Sequence, residues 1–327
     1  MPQKQKKQTM IEAINRLSIF GKPFVFAVDF DLENGFVKTP EEAASAGILC
    51  KAGDWQNYPS RSGRPPQRFT VSPVAYPKYL NAFNKVQSHL SRGDTYLLNL
   101  TFPTTVETDL SLTELFHAGE APFKLLVPGQ FTVFSPEVFV IIGKGVISSC
   151  PMKGTISAGL PNAQDRLLAD EKERFEHNTI VDLIRNDLSM VATGVTVDRF
   201  RYLEKIRTNR GDLWQMSSEI SGKLPDNYRQ QLGTILFKLL PAGSVTGAPK
   251  EKTVQIIREA ERYKRGFYTG IFGYFDGETL RTAVTIRYIE IAGNGMIFKS
   301  GGGITALSNP ETEYNEMINK VYVPVGV

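Results

Sequence analysis

Between residues 268 and 300 three runs rich in β-branched and aromatic residues, YTGIFGYFD (268–276), LRTAVTIRYIEI (280–291) and GMIFKS (295–300), follow one another across breaks of a few residues. Breaks that short turn the chain back beside itself, because a parallel neighbour needs a crossover of about a dozen residues or more. The runs therefore predict an antiparallel meander. Further strand-like runs are PFVFAVDF (23–30), QFTVFSPEVFVIIG (130–143), GVTVDRFRYL (194–203) and LWQMSSEISG (213–222). Elsewhere the period becomes helical: Leu80, Phe83, Val86 and Leu90 recur on one face of 77–91, and further helices are expected near 165–190, 226–240, 248–264 and 310–321. The two kinds of element intermix without a βαβ rhythm, and no repeat of about 20 to 50 residues is visible. This argues against a Rossmann sheet or a solenoid and gives the fold class as α+β. With 41% hydrophobic and 22% charged residues, the chain has the make-up of a packed protein.

Thirty-eight Lys plus Arg against thirty-four Asp plus Glu leave a charge of +4, too small and too mixed to make nucleic acid the default partner. The two cysteines, Cys50 and Cys150, have no histidine at metal-site spacing, so neither a disulfide framework nor a zinc site is expected. The opening MPQKQKKQTM is basic and leads into the amphipathic IEAINRL without the apolar core of a secretory signal; it reads as a solvated tail. Apolar runs such as VFVIIG are far shorter than the roughly 20 residues that cross a bilayer. A soluble, cytoplasmic protein is the expectation. The polar stretch 51–69 has turn and breaker residues but no periodicity, which predicts a surface connection. It divides the chain into an N-terminal segment with its connection, 1–69, and a functional unit, 70–327.

Several segments could carry chemistry. Glu173 and Glu176 share a helix face with Ile180 and Leu183, so these carboxylates extend an apolar, inward-pointing stripe. Glu313 and Glu316 repeat the three-residue step behind a helix entry at Asn309 and Pro310. Such pairs are either solvated charge or the oxygen donors of a hard divalent ion, which leaves positions for water and an anionic ligand. Glycines gather in PAGSVTGAPK (241–250) and KSGGGITALSNP (299–310), each ahead of an expected helix. There they make either tight turns or amide cradles for a carboxylate or phosphate. The first does not match a nucleotide-binding P-loop. Lys153 follows a strand-like GVISS in an expected turn, where most lysines are merely solvated. Glu137 interrupts an apolar strand and is costly to bury without a purpose or an ion-pair partner.

Taken together, SPEVFV, PMKGTISAG, DEKERFEHNTIVDLIRNDL, LLPAGSVTGAPK, RGFYTGIFGYF, AVTIR and SGGGITALSNPETEYNEMINK occur in an order that no chance agreement produces. From about residue 70 to the C-terminus the chain resembles the chorismate-utilising enzymes, the family of anthranilate synthase component I, aminodeoxychorismate synthase component I, isochorismate synthase and salicylate synthase. The resemblance implies large antiparallel sheets packed with helices around one deep active site. It implies Mg²⁺ as cofactor, held by Glu176 and Glu316 with Glu173 and Glu313 close by. It implies chorismate as substrate, one carboxylate of which meets Arg287, Tyr268 and the amides of Gly301 and Gly303, with Ser244 and Thr246 adding polar contacts. Glu137 matches the acid that assists departure of the ring C4 hydroxyl.

Within the family, the lysine base that activates water in isochorismate and salicylate synthases falls at Leu97 here, and is absent. Lys153 stands where anthranilate synthases have alanine; it resembles the aminodeoxychorismate synthases, in which this lysine attacks ring C2. Gln215 stands where a histidine is usual. The shortened N-terminal region implies that the amino-acid effector pocket of longer relatives is lacking. The resulting expectation is amination of chorismate to 4-amino-4-deoxychorismate, for p-aminobenzoate and folate, with ammonia supplied from glutamine by a separate amidotransferase subunit. The alternatives are an anthranilate synthase component I and a catalytically silent chorismate-binding partner of the amidotransferase.

Overall fold

The computed structural model describes residues 3–61, 63–206, 212–293 and 295–325, and among these two antiparallel sheets of nine strands each form the frame. The first sheet runs in the order Met152–Ser157, Leu213–Lys223, Val146–Ser149, Val138–Gly143, Leu280–Val284, Ile271–Phe275, Phe24–Val28 and Gly35–Lys38, with Thr193–Ile206 also pairing Leu213–Lys223. The second runs Gly247–Ala248, Leu97–Thr108, Gly295–Ile304, Tyr288–Ala292, Phe131–Ser135, Phe123–Val127, Leu49–Ala52 and Trp55–Gln56, with Phe69–Ser72 on Leu97–Thr108. The class is α+β, as expected. No described helix is long and apolar enough to cross a membrane.

Phe24–Val28 shows how the layers divide. Phe24, Phe26 and Val28 face a core shared with the helices Gln3–Ile19, Glu171–Ser189 and Leu232–Leu239, while Val25 and Ala27 face a core shared with the second sheet. Both faces are buried, so the strand reads as an unbroken apolar run. The second sheet buries Leu98, Leu100 and Phe102 against Tyr76–Ser91, Lys250–Glu261 and Pro310–Asn319.

Two runs that read as single strands each split between the sheets. Phe131–Ser135 belongs to the second sheet and Val138–Gly143 to the first, parted by Pro136 and Glu137, because proline has no N–H to give a ladder. Leu280–Val284 belongs to the first and Tyr288–Ala292 to the second, parted at 285–287, where Arg287 takes the left-handed φ of 52°. The crossings are tied together: the Val284 N–H donates to the Glu137 carbonyl at 3.1 Å, and the Phe134 N–H to the Arg287 carbonyl at 3.2 Å. Periodicity could not show this, since both halves of each run are apolar.

Other expectations are corrected. The opening residues are no tail: Gln3–Ile19 is a helix that buries Met10 and Ile14. It lies so close to Leu232–Leu239 that a Cβ at Gly233 would come 2.5 Å from the Ile11 carbonyl oxygen. Residues 1–69 supply strands to both sheets, so residue 69 is not a boundary between cores, and the stretch 51–69 begins inside the hairpin of Leu49–Ala52 and Trp55–Gln56. The helix expected at 165–190 is broken at Asp170, whose carboxylate caps Glu171–Ser189 by accepting from the Glu173 N–H at 3.0 Å. Leu97–Thr108 went unread as a strand because Asn99, Thr101, Thr104 and Thr105 break its apolar pattern.

A buried ion pair joins these parts. Every N–H of the Arg265 guanidinium is used: two reach the Glu261 carboxylate at 2.6 and 2.9 Å, and the others reach the Asn99 carbonyl at 2.6 Å, the Val245 carbonyl at 2.9 Å and the Thr269 hydroxyl at 3.2 Å. Burial alone would disfavour the Arg265 charge, but Glu261 more than offsets it and holds the pKa above its usual value. Glu261 also accepts from the Thr101 N–H and hydroxyl at 2.8 and 2.9 Å. Breaking a buried pair by neutralising one partner costs about 3–5 kcal/mol. Glu261→Gln should therefore lower unfolding stability by about 3 kcal/mol or more in urea titrations, whereas the exposed Arg185→Ala, removing its ion pair to Asp182, should cost about 0.5 kcal/mol or less.

Candidate active site

Where the crossings meet the second sheet, a cavity of about 790 Å³ opens. Its wall includes Glu137 and Arg287 from the crossings, Lys153, Glu173, Glu176, Ser244, Tyr268, Gly301 and Gly303, and Glu316. Ten of the twelve residues singled out from sequence thus lie around one space. Thr246 and Glu313 do not line it. Thr246 is fully buried and donates its hydroxyl to the Ala242 carbonyl at 2.8 Å. Glu313 is 2% exposed and lies behind Gly302, where a Cβ would stand 3.4 Å from its carboxylate.

Lys153 lies within the strand Met152–Ser157 rather than in a turn. A bulge falls between Lys153 and Thr155, at Gly154 with φ 76°, and such bulges re-aim side chains. The Lys153 Nζ lies 3.7 Å from the Glu176 carboxylate, and a Cβ at Gly303 would stand 3.9 Å from it. The glycines 301–303 are likewise strand and not turn, paired in register with Thr101, Leu100 and Asn99. A Cβ at Gly301 would come 2.3 Å from the Leu100 carbonyl oxygen, so only glycine fits. Pairing with Tyr288–Ala292 ends at Tyr288 opposite Lys299, because the chain there leaves for the other sheet. Beyond Lys299 that edge of the strand borders the cavity. The loop 241–250 likewise holds a short 3₁₀ turn, Gly243–Val245, and the two-residue strand Gly247–Ala248 before its helix.

Glu316 projects from Pro310–Asn319, a helix entered as expected through Asn309, whose side chain accepts from the Glu311 and Thr312 N–H groups at 3.0 and 3.1 Å. Lys320, which the sequence reading missed, binds Glu316 at 2.7 Å and donates to the Gly301 carbonyl at 3.0 Å. Its four-residue offset from Glu316 was the available signal. Burial lowers the Lys320 pKa, the negative Glu316 opposes that, and the nearby Lys153 charge adds to the fall. Among the described residues no three His, Cys, Asp or Glu side chains converge as a ready metal cluster. The donor chemistry nevertheless suits Mg²⁺, which needs only one or two carboxylates plus waters and substrate oxygens. In this structure ammonium groups stand against both carboxylates, Lys153 at Glu176 and Lys320 at Glu316.

Burial raises the Glu137 pKa above the usual carboxyl value; the Ser244 hydroxyl, which donates to it, and the charges of Lys153, Lys320 and Arg287 oppose that rise without cancelling it. The group is therefore disposed to hold a proton. The Arg287 guanidinium lies over the Tyr322 ring, 5.0 Å from its centroid. Tyr268 is buried, which holds its phenol protonated. Leu97 is buried hydrocarbon, and a Cβ at Gly303 would lie 3.1 Å from its Cδ1.

Fold and cavity together define a class, and the comparisons with known proteins agree. The family model for chorismate binding enzymes matches residues 9–325, and the chain belongs to that family. An uncharacterised PabA-like protein of Haemophilus influenzae is 50% identical over 98% of this chain and 98% of its own length. Aminodeoxychorismate synthase component 1 of Escherichia coli is 34% identical over 80% of this chain and 61% of its own length. Among solved structures, a putative 2,3-dihydroxybenzoate-specific isochorismate synthase from Bacillus anthracis superposes with a TM-score of 0.70 at 21% identity, covering 96% of this chain and 86% of its own. The match from residue 9 extends the family resemblance through the N-terminal strands.

The raised pKa of Glu137 has a signed consequence. Above the ordinary carboxyl value of 4.5 the folded state bears the cost of ionising this group, so its contribution to stability falls as pH rises. Glu137→Gln should melt higher than wild type at pH 7 in calorimetry, and the difference should close as pH is lowered to about 4. A constant difference across that range would contradict the assignment.

Proposed function

We propose that the chain is the chorismate-aminating component of an aminodeoxychorismate synthase. The observation that carries this reading is Lys153: a bulge aims it into the cavity, beside Glu176 and Gly303, with the proton-holding Glu137 in the same wall. The 34% identity to an aminodeoxychorismate synthase component supports it. Arg287, with Tyr268 and the strand edge at Gly301 and Gly303, binds one carboxylate of chorismate. Glu176 and Glu316, assisted by Glu173 and Glu313, would hold Mg²⁺, which supplies positive charge for the other.

Lys153 attacks as its free amine, because an ammonium nitrogen has no lone pair to give. Its attack forms a bond at ring C2 while the ring double bonds shift and the C4 hydroxyl departs. Glu137 delivers the proton that makes that group leave as water. Ammonia then adds at C4, the C2–nitrogen bond breaks, and Lys153 is released with 4-amino-4-deoxychorismate as product. The ammonia comes from glutamine through a separate amidotransferase subunit, and the product feeds p-aminobenzoate and folate synthesis in the cytoplasm.

Incubation with chorismate, Mg²⁺ and ammonium at alkaline pH should give 4-amino-4-deoxychorismate by chromatography; anthranilate as the amine product, or no amine, would overturn the reading. Glutamine should serve only once an amidotransferase subunit is added. Without ammonia, rapid-quench mass spectrometry should find chorismate minus water attached to the protein, peptide mapping should place it on Lys153, and Lys153→Ala should abolish it. Wild type that turns over yet never traps an adduct would leave Lys153 an electrostatic anchor. Glu176→Gln and Glu316→Gln should each cut Mg²⁺-dependent turnover by about 100-fold while the fold is kept by circular dichroism.

A further inference from the structure

Gln215 sits on Leu213–Lys223, paired in register with Thr155 just beyond the bulge that aims Lys153, and it lines the cavity. It is 9% exposed, and its Nε2 has no hydrogen-bond partner among the described residues. A buried amide N–H without a partner lowers stability, and native proteins leave few of them. Among the described residues lining the cavity, the Ser300 hydroxyl is the other buried polar atom in this condition. Both residues line the space that a ligand would fill, which points to a partner that arrives with the ligand.

The cavity already has cations suited to carboxylates, namely Arg287, Lys153 and Lys320. Gln215 is different in kind: its carboxamide is neutral, donates through nitrogen, and neither gives nor takes a proton at working pH. We infer that Gln215 is a substrate-binding and specificity-determining residue whose Nε2–H donates to a neutral oxygen, ether or hydroxyl, on the bound dicarboxylate. This rests on the reading of the cavity as a chorismate site. A site built to hydrogen-bond a substrate oxygen rejects analogues that lack it, because the donor is then left buried and unpaired. The contribution is to binding and orientation, so it appears in affinity and not in the pH profile of turnover.

The test sets stability against affinity. Gln215→Met keeps the length of the side chain and removes its polar atoms. In the ligand-free protein its thermal midpoint should equal or exceed that of wild type, since an unpaired buried group has gone. Its affinity for chorismate with Mg²⁺, by titration calorimetry, should fall about tenfold. Gln215→Glu keeps the shape, turns the donor into an acceptor, and should lose at least as much affinity; it carries the test if the methionine variant does not fold. Gln215→His restores an N–H donor and should bind more tightly than Gln215→Met, with the pH dependence of binding now showing a histidine. Methionine and glutamate variants that bind chorismate as tightly as wild type would overturn the inference while leaving the proposed function standing. So would a Gln215→Met protein that melts lower and loses affinity only in proportion to unfolding. Wild type with no affinity for chorismate would overturn the proposed function and this inference with it.

Discussion

The Arg265–Glu261 pair is the interaction on which the arrangement of the cavity depends. It spends no donor on solvent: the guanidinium grips the end of the helix Lys250–Glu261 through Glu261, the second sheet through Asn99 and the 241–250 loop through Val245. Asn99 and Val245 are themselves wall residues of the cavity, and Ser244, which donates to Glu137, is next in sequence to Val245. The position of the Glu137 partner is thus set by a charge pair buried beneath it. Ion pairs in the interior are weak evidence for stability as such, but here the directional bonds fix three chain segments relative to one another.

The electrostatics of the cavity follow from that fixed frame. Lys153 and Lys320 each stand close to one carboxylate of the wall, Glu176 and Glu316, so the ligand-free protein keeps these charges compensated. Glu137 has no such close cation; a hydroxyl serves it instead, and its pKa moves upward. Two carboxylate environments of opposite tendency in one cavity, one paired and one inclined to protonation, are what a reaction needs when one group must stay negative and another must donate a proton.

How much of this could be read beforehand depended on the kind of signal. Lys153, Glu137, Glu176 and Arg287 were legible because seven short blocks in order resemble one family, whereas local pattern alone left Glu176, Lys153 and Glu137 each with an ordinary structural reading. The two runs at 130–143 and 280–291 were read as continuous strands because hydrophobic periodicity reports burial and not which sheet buries a residue. Pro136 was the one local clue to a break. The glycines at 299–310 suggested a turn, whereas they are there to let two strands and a ligand wall approach closely, a tertiary need with no local signature. Leu97–Thr108 was hidden by its buried threonines, and the basic character of the first ten residues masked a helix whose apolar face, Met10 and Ile14, is thin.

The paired crossings have a mechanical consequence. Two continuous chain segments pass from one sheet to the other side by side and are hydrogen-bonded to each other, so they act as a double strap. Sheets strapped in this way cannot part like the halves of a clam at that place without tearing ladder hydrogen bonds. The opposite side of the wall is built from Pro310–Asn319 and the residues that follow it, where Glu316, Lys320 and Tyr322 ride on one short length of chain. The sheet side, with Glu137 and Arg287, is the anvil against which a ligand is placed.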